Sequence, residues 1–436
     1  MKGKRVAIST LGCKVNQYES AVLAGIFRDR GYHLVEFEEE ADIYIINTCT
    51  VTHQGDRKSR QLIRRAARTN PGALIAVTGC YAQVSPEKVL AIPGVDLVVG
   101  TKDRTKLVEL VETAEKGLMP VNAVSNLADD CEFEEMPALP LQERTRAFLK
   151  IQDGCNNYCT YCIVPYARGG LRSRRPEKIL EIASALVAAG YKEIVLTGIH
   201  TGSYGQDLPG DVTLAGLLNK LAGIQGLSRV RLSSIEPNDI TLELVEILAG
   251  SPVFCRHLHV PLQSGDDLVL QKMGRRYTAW EYTRLVGVLR ENIPGLGLTT
   301  DVMVGFPGET DECFDNTYRL LKKTSFSRLH VFKYSPRPGT PAAGFTGQVE
   351  PAVKEARSRK LIELGGTLAA GFAASLLGQV LEVLVERQYQ EETGLYEGLT
   401  DNYVRMIFSG CEQLIGSIVK VMAEEVRGTA IKGRIV

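Results

Sequence analysis

The chain has 436 residues, 44% of them hydrophobic and 23% charged. That length allows roughly two to four domains with their own cores, and the composition excludes a disordered or fibrous protein. The 51 Lys and Arg balance 51 Asp and Glu, so no global charge draws the chain to nucleic acid or membrane, and a polyanion must be met by local patches.

Met1-Lys2-Gly3-Lys4-Arg5 leads directly into the strand-like Val6-Ala7-Ile8-Ser9-Thr10. This reads as a start without a secretory signal and predicts a cytoplasmic protein. There, ten cysteines point to metal or redox chemistry rather than disulfides. Residues 1–115 alternate strand and helix, with strands expected over 5–10, 42–47 and 73–78 and helices over 20–30 and 56–68. That pattern is a doubly wound α/β domain. Residues 116–141 are acidic, with Asp129, Asp130, Glu132, Glu134 and Glu135, and read as a linker. Residues 142–370 repeat the strand–helix alternation six times, with strands expected over 147–152, 193–198, 229–235, 257–262, 298–305 and 328–334. Six units suggest a partial (β/α)6 barrel, two short of a closed ring. The uncharged stretch 364–381 contains Gly365, Gly366, Gly371 and Gly378; it is too weakly apolar to span a membrane and predicts a buried helix ending near Gly378. Residues 371–436 end in five short strands, expected to close as a small five-stranded β-barrel.

The cysteines follow this layout. Cys13, Cys49 and Cys80 each come just after one of the first three strands, and in open α/β sheets ligands gather beyond the carboxyl ends of strands. Three such loops can make one three-thiolate site. A second set, Cys155-Asn-Asn-Tyr-Cys159-Thr-Tyr-Cys162, lies on one loop. Three thiolates can hold an iron–sulfur cubane with one iron left open, or part of a structural zinc site completed by a distant ligand. Cys131, Cys255, Cys313 and Cys411 carry no spacing signal and read as structural.

The C-x3-C-x2-C spacing resembles the radical S-adenosylmethionine enzymes. Together with Cys13, Cys49, Cys80 and a terminal β-barrel, it resembles their methylthiotransferase family, whose order is an N-terminal cluster domain, a radical core and a TRAM barrel. Thr10-Leu-Gly-Cys-Lys-Val-Asn-Gln-Tyr-Glu19 and Gly198-Ile-His-Thr-Gly-Ser-Tyr-Gly205 are similar to the branch acting on threonylcarbamoyladenosine in tRNA. The Cys-Gln-Met-Asn motif toward which the isopentenyladenosine branch tends is absent.

The resemblance implies conversion of N6-threonylcarbamoyladenosine at position 37 of tRNA to its 2-methylthio derivative. It also implies two [4Fe-4S] clusters, one on Cys155, Cys159 and Cys162 that generates a radical and one on Cys13, Cys49 and Cys80 that donates sulfur. Two S-adenosylmethionine molecules are used per turnover, with an electron donor such as flavodoxin or ferredoxin and a sulfur source. Ser234, Glu236, Gln263, Gly265 and Gly305, at expected strand ends, are candidates for holding S-adenosylmethionine. Basic clusters at 57–68 and 168–178 make Arg57, Arg64, Arg172 and Arg174 the candidate RNA contacts. From Gln379 onward six Lys or Arg face nine Asp or Glu, an acidic balance for an RNA-associated barrel. The same chemistry on isopentenyladenosine, or on an aspartate of a ribosomal protein, is the nearest alternative; a zinc-stabilised RNA-binding protein without catalysis is the alternative of another class.

Overall fold

A computed structural model describes residues 3–127, 132–136 and 145–436. Its first sheet is built around two apolar runs buried along their whole length, as suits the interior of a parallel sheet with helices on both faces. The strands are β1 (Arg5–Thr10), β2 (His33–Val35), β3 (Ile43–Thr48), β4 (Leu74–Gly79), β5 (Leu97–Val99) and β6 (Val121–Ala123), all parallel in the order β2-β1-β3-β4-β5-β6. Helices α1 (Lys14–Asp29), α2 (His53–Thr69), α3 (Cys80–Val84), α4 (Pro86–Leu90) and α5 (Leu107–Thr113) connect them. Thr52 starts α2 by accepting a hydrogen bond from the Gly55 amide, which satisfies one of the free donors of the first turn. β2, β5 and β6 have three residues each, too few to show a periodicity.

β6 corrects the reading of 116–141 as a linker, because residues 121–123 extend the sheet. Glu134 and Glu135 are also used, against Arg104 at 3.6 Å and Arg174 at 3.0 Å. Asp129, Asp130 and Cys131 lie outside the described residues.

The second body contains β7 (Arg146–Lys150), the ribbon β8 (Gln152–Asp153) with β9 (Arg172–Ser173), then β10 (Glu193–Thr197), β11 (Arg229–Leu232), β12 (His257–His259), β13 (Gly297–Val304) and β14 (Arg328–Lys333). Parallel ladders join β7-β10-β11 and β12-β13-β14, and bridges such as Ser234 to His259 link the two halves. The six expected units are therefore present as one curved wall. Its outer helices are α6 (Val164–Arg168), α7 (Pro176–Ala188), α8 (Leu214–Ala222), α9 (Leu242–Gly250), α10 (Asp267–Met273), α11 (Ala279–Asn292) and α12 (Asp311–Thr324). Along β13 the side chains alternate: Leu298, Val302 and Val304 join the apolar core, and Thr299, Asp301 and Met303 face the lumen.

Helix α13 (Pro351–Ala374) ends earlier than Gly378 and is buried along one face only. Leu361, Leu364 and Ala373 face inward while Ile362 is exposed. Gly365 permits close approach: a methyl there would lie 3.2 Å from the Leu329 side chain. The last body is a closed barrel of β15 (Val380–Gln388), β16 (Leu395–Thr400), β17 (Arg405–Ser409), β18 (Ile418–Arg427) and β19 (Ala430–Ile435), in the order β15-β16-β17-β19-β18. It has a core of its own around Val383, Met406, Phe408 and Val421. A single larger core, by contrast, runs from Val6, Leu23 and Phe27 of the first sheet into Leu149, Ile194 and Leu298 of the curved wall. The first two bodies therefore share buried apolar surface, which aligns their loop ends.

Candidate active site

Cys13 follows β1, Cys49 follows β3 and Cys80 opens α3 directly after β4. These three strands are adjacent and parallel, so their carboxyl-end loops meet at one edge. Gly12 makes the approach possible. Its φ of +103° is in the region that favours glycine, and a methyl there would stand 2.9 Å from Cys49 Cβ and 3.1 Å from its Sγ. Burial pushes the Cys49 thiol up to about 12, with the Cys80 and Cys13 thiols adding to the rise. Burial raises Cys80 as well, opposed by the Arg168 guanidinium. The three groups feel one another's charge.

The loop after β8 holds the second set. Gly154 has φ +72°, and a methyl there would fall 1.7 Å from the Gly170 carbonyl oxygen. That close packing sets the register from which Cys155 donates its amide to Gly169 O at 3.1 Å. Further along, the Thr160 amide donates to Met273 O at 3.0 Å and the Cys162 amide to Cys159 O at 2.9 Å. Burial pushes Cys162 to about 12, with Cys159 and Cys155 contributing; burial also raises Cys159, against the pull of Arg275. The Asn157 amide donates to Cys155 Sγ at 3.4 Å.

Cys49, Cys80, Cys159 and Cys162, whose thiol form their surroundings favour, become thiolates when a strong positive centre sits among them. An iron–sulfur cluster is such a centre, so the donor sets fit one. Among the described residues, no group of three or more His, Cys, Asp or Glu is arranged as the ligand shell of a metal ion. In a cubane each thiolate binds a different iron, so its ligands need not converge on one atom.

Between the two sets lies a buried network of charges. Glu19, one turn into α1 from Cys13, is fully buried. It accepts from Lys150 at 2.7 Å and Arg168 at 2.9 Å, and is ion-paired with Arg104 at 3.1 Å. Asp153 accepts from Lys150 at 2.6 Å and Arg168 at 3.0 Å. Arg168 also donates to Asn16 at 2.5 Å. The guanidinium thus connects the Cys13 helix, Cys80 and the ribbon preceding Cys155. Its positive charge favours anionic sulfur at Cys80.

A polar cavity of about 170 Å³ opens beside Cys159, lined by His200, Glu236, Asp239, Arg275 and Tyr277 among others. His200 Nε2 is 2.6 Å from Asp239, and its Nδ1 is 3.9 Å from Cys155 Sγ. Burial favours the neutral ring, but the Asp239 hydrogen bond and Cys155 outweigh it and push His200 up to about 10. Sequence reasoning did not single out His200, although it lies inside the motif from Gly198 to Gly205. Asp239 and Arg275 had no spacing signal at all.

Of the five residues expected to hold S-adenosylmethionine, Glu236 lines this cavity and is ion-paired with Arg275. Ser234 and Gln263 stand at neighbouring strand ends, each bridged to the next strand. Gly265 and Gly305 are accounted for by packing: a methyl would lie 2.7 Å from Thr317 Cα at the first and 2.3 Å from the Lys354 stem at the second.

The RNA expectation divides. Arg57 and Arg64 are exposed on α2, beside exposed Lys58, Arg65 and Arg68. Arg172 and Arg174 are corrected: both are buried and committed inside the protein. Arg174 pairs with Glu135 at 3.0 Å and donates to Tyr18 at 3.1 Å; Arg172 donates to Arg168 O at 2.5 Å. In the terminal barrel, Arg387 and Arg405 both pair with Glu397, Arg427 with Glu392 and Arg434 with Glu424. Most of its basic residues are therefore neutralised locally.

Comparison with known proteins agrees with this layout. Residues 5–100 match a family model described as "Uncharacterized protein family UPF0004", and residues 149–321 match the "Radical SAM superfamily". The chain is 50% identical to the "Threonylcarbamoyladenosine tRNA methylthiotransferase MtaB" of Bacillus subtilis strain 168, over 95% of this chain and 93% of that one. It is 38% identical to the "tRNA-2-methylthio-N(6)-dimethylallyladenosine synthase" of Moorella thermoacetica, over 99% and 98%. Among solved structures, the radical S-adenosylmethionine methyltransferase TsrM from Kitasatospora setae superposes with a TM-score of 0.57 at 18% identity, over 78% of this chain and 77% of that one. That likeness concerns the fold alone.

Proposed function

Because the chain belongs to the methylthiotransferase family of radical S-adenosylmethionine enzymes, we propose that it converts N6-threonylcarbamoyladenosine at position 37 of tRNA to its 2-methylthio derivative. The observation that carries this reading is the pair of three-thiol sites at adjoining loop edges of one shared core, connected through Arg168 and Glu19. A radical site alone serves many reactions; a second open site beside it suits delivery of sulfur. The substrate choice rests on the 50% identity to a relative named for threonylcarbamoyladenosine, against 38% for the one named for dimethylallyladenosine.

Cys155, Cys159 and Cys162 are the proposed ligands of one [4Fe-4S] cluster, and Cys13, Cys49 and Cys80 those of another. When bound, these clusters and S-adenosylmethionine supply the radical, the sulfur and the methyl group that an unactivated adenine C–H requires. The chain's own residues hold and orient. Glu236 lies beside Cys159, with Ser234 and Gln263 at the adjoining strand ends, and these are the positions proposed to hold S-adenosylmethionine. His200, fixed by Asp239, keeps a donor against Cys155 and so supports the thiolate. The reaction also needs an electron donor such as flavodoxin or ferredoxin and a sulfur source, both of which the cytoplasm supplies. No helix among the described residues is long and apolar enough to cross a membrane.

Nucleoside mass spectrometry of tRNA from cells lacking this protein should show loss of 2-methylthio-threonylcarbamoyladenosine and accumulation of its unthiolated precursor. Unchanged levels of that nucleoside would end the assignment, and loss of the isopentenyl counterpart instead would move it to the other branch.

The basic face of α2 is the proposed tRNA contact. Replacing both Arg57 and Arg64 by Ala should weaken tRNA binding evenly across substrates. It should also reduce the slope of log K against log salt by about 2, one for each phosphate no longer neutralised. A salt titration with an unchanged slope places the RNA contact elsewhere.

A further inference from the structure

The two cysteine sets sit on different bodies, and the first body meets the curved wall at both of its edge strands, β7 and β14. On the β7 side the contact is the Glu19 network, through Lys150. On the β14 side it is a short segment that follows the strand, Ser335-Pro-Arg-Pro-Gly-Thr-Pro-Ala342. Three prolines in eight residues each fix φ. Pro338 and Gly339, the latter at φ +91°, are the central pair of a type II turn closed by the Thr340 amide on Arg337 O at 3.0 Å. The Thr340 hydroxyl donates to the same oxygen at 2.8 Å. The segment is stiff, although most of it lies outside helix and strand.

Each half of this segment holds one of the cysteine loops. Arg337 is only 5% exposed and donates to the Thr50 hydroxyl at 2.6 Å and to Asp56 at 2.8 Å. Thr50 in turn donates to the other Asp56 oxygen at 2.6 Å, which closes a triangle. Thr50 is the residue after Cys49, and Asp56 lies in the first turn of α2. Between them, the His53 amide donates to Ser335 Oγ at 3.4 Å. The start of α2 packs directly on the cysteine: Ser59 Oγ donates to Cys49 O at 3.3 Å, and a methyl at Gly55 would stand 3.2 Å from that oxygen. At the other end, the fully buried Ala342 donates its amide to Thr160 O at 2.9 Å. Thr160 lies between Cys159 and Cys162, and its hydroxyl is held by Lys272 O at 2.8 Å. An ion pair that only joined the two bodies needs no place beside a cysteine. This one grips the residue next to Cys49, from a segment whose far end grips the other loop.

We propose that Arg337 is a positioning residue, and that Ser335–Ala342 is a rigid strap that sets the separation of the Cys49 loop from the Cys159 loop. The inference rests on the two-site reading of the function and adds to it the device that holds the sites in register. A joint reaction of two sites needs its groups placed closely, since a misplacement of about 1 Å costs about 100-fold in rate. A loosened strap leaves each loop able to work alone and lowers the yield of the step that needs both.

The test compares wild type with Arg337→Met as reconstituted full-length proteins under anaerobic conditions, with dithionite as reductant and tRNA carrying threonylcarbamoyladenosine. Iron, 5′-deoxyadenosine and methylthio product are measured together. Arg337→Met should keep the iron and the 5′-deoxyadenosine rate of the wild type, while product per 5′-deoxyadenosine falls roughly 10- to 100-fold. In the apoprotein, hydrogen exchange of the amides of residues 50–55 should be faster in the variant. Full iron with a wild-type product ratio overturns the proposal, and so does unchanged exchange at 50–55. If Arg337→Met loses iron or does not fold, Pro338→Gly decides, because Pro338 is exposed and its replacement softens the turn while keeping the Arg337 side chain. A lowered ratio in that variant supports the strap, and a wild-type ratio overturns it. A wild type that forms 5′-deoxyadenosine but no methylthio product removes the proposed function, and this inference with it. A productive wild type beside an unaffected variant removes the inference alone.

Discussion

Cys155→Ala is expected to halve the iron of the reconstituted protein, from about eight to about four atoms per chain, and to abolish both S-adenosylmethionine cleavage and methylthio product. A cubane held by only three thiolates has no spare ligand, and Cys155 and Cys159 both lie within electrostatic reach of Cys162. The variant also removes the sulfur that His200 faces at 3.9 Å. The N-terminal set should persist, because Cys13, Cys49 and Cys80 are carried by β1, β3 and β4 and act electrostatically on one another. Iron analysis after strict anaerobic reconstitution, together with a 5′-deoxyadenosine assay, reads both outcomes. Iron near zero in the wild type would favour the non-catalytic zinc protein. A variant that keeps eight irons would remove Cys155 from the ligand set.

Glu19→Gln should destabilise the fold by about 3–5 kcal/mol, the usual loss when one partner leaves a buried ion network. Glu19 is fully buried between Arg104, Lys150 and Arg168. Without its charge, three cations share Asp153 and the partly exposed Glu134. The same group predicts an acid limb. Burial raises the Glu19 carboxyl, but Arg104, Arg168 and Lys150 overcome this and hold it at about 2, against 4.5 when unperturbed. A depressed folded-state value means the contribution is complete above pH 4.5 and is lost as pH falls from there toward 2. Its size is on the order of 3 kcal/mol for this shift. Urea unfolding of the apoprotein between pH 7 and 3 measures both effects, and the Gln variant should show a flatter limb. If the variant matches the wild type within about 1 kcal/mol and keeps the same limb, the network does not hold the two bodies together.

The parts of this protein legible in its sequence are those set by local pattern. β3 and β4 announced themselves as unbroken apolar runs because both faces are covered. The cysteines announced themselves by position, three after the strands β1, β3 and β4 and three on one short loop. The three-residue strands β2, β5 and β6 did not, since no period fits in three residues. β6 was hidden further by the acidic stretch that follows it.

Charge was the weakest guide. The arginines at 168–175 resemble those at 57–68 in density, yet Arg174 is buried against Glu135, and Arg168 reaches Glu19 across 149 positions of sequence. Whether an arginine meets a phosphate or a carboxylate depends on which distant acid folding brings beside it. A run of like charge contains no information about that acid. Strand runs and loop positions are local properties, so the α/β order, the terminal barrel and the two sets of three thiols could be read along the chain. Ion pairing is settled by contacts between residues far apart in sequence. Folding therefore had to choose which cations pair inside and which face outward.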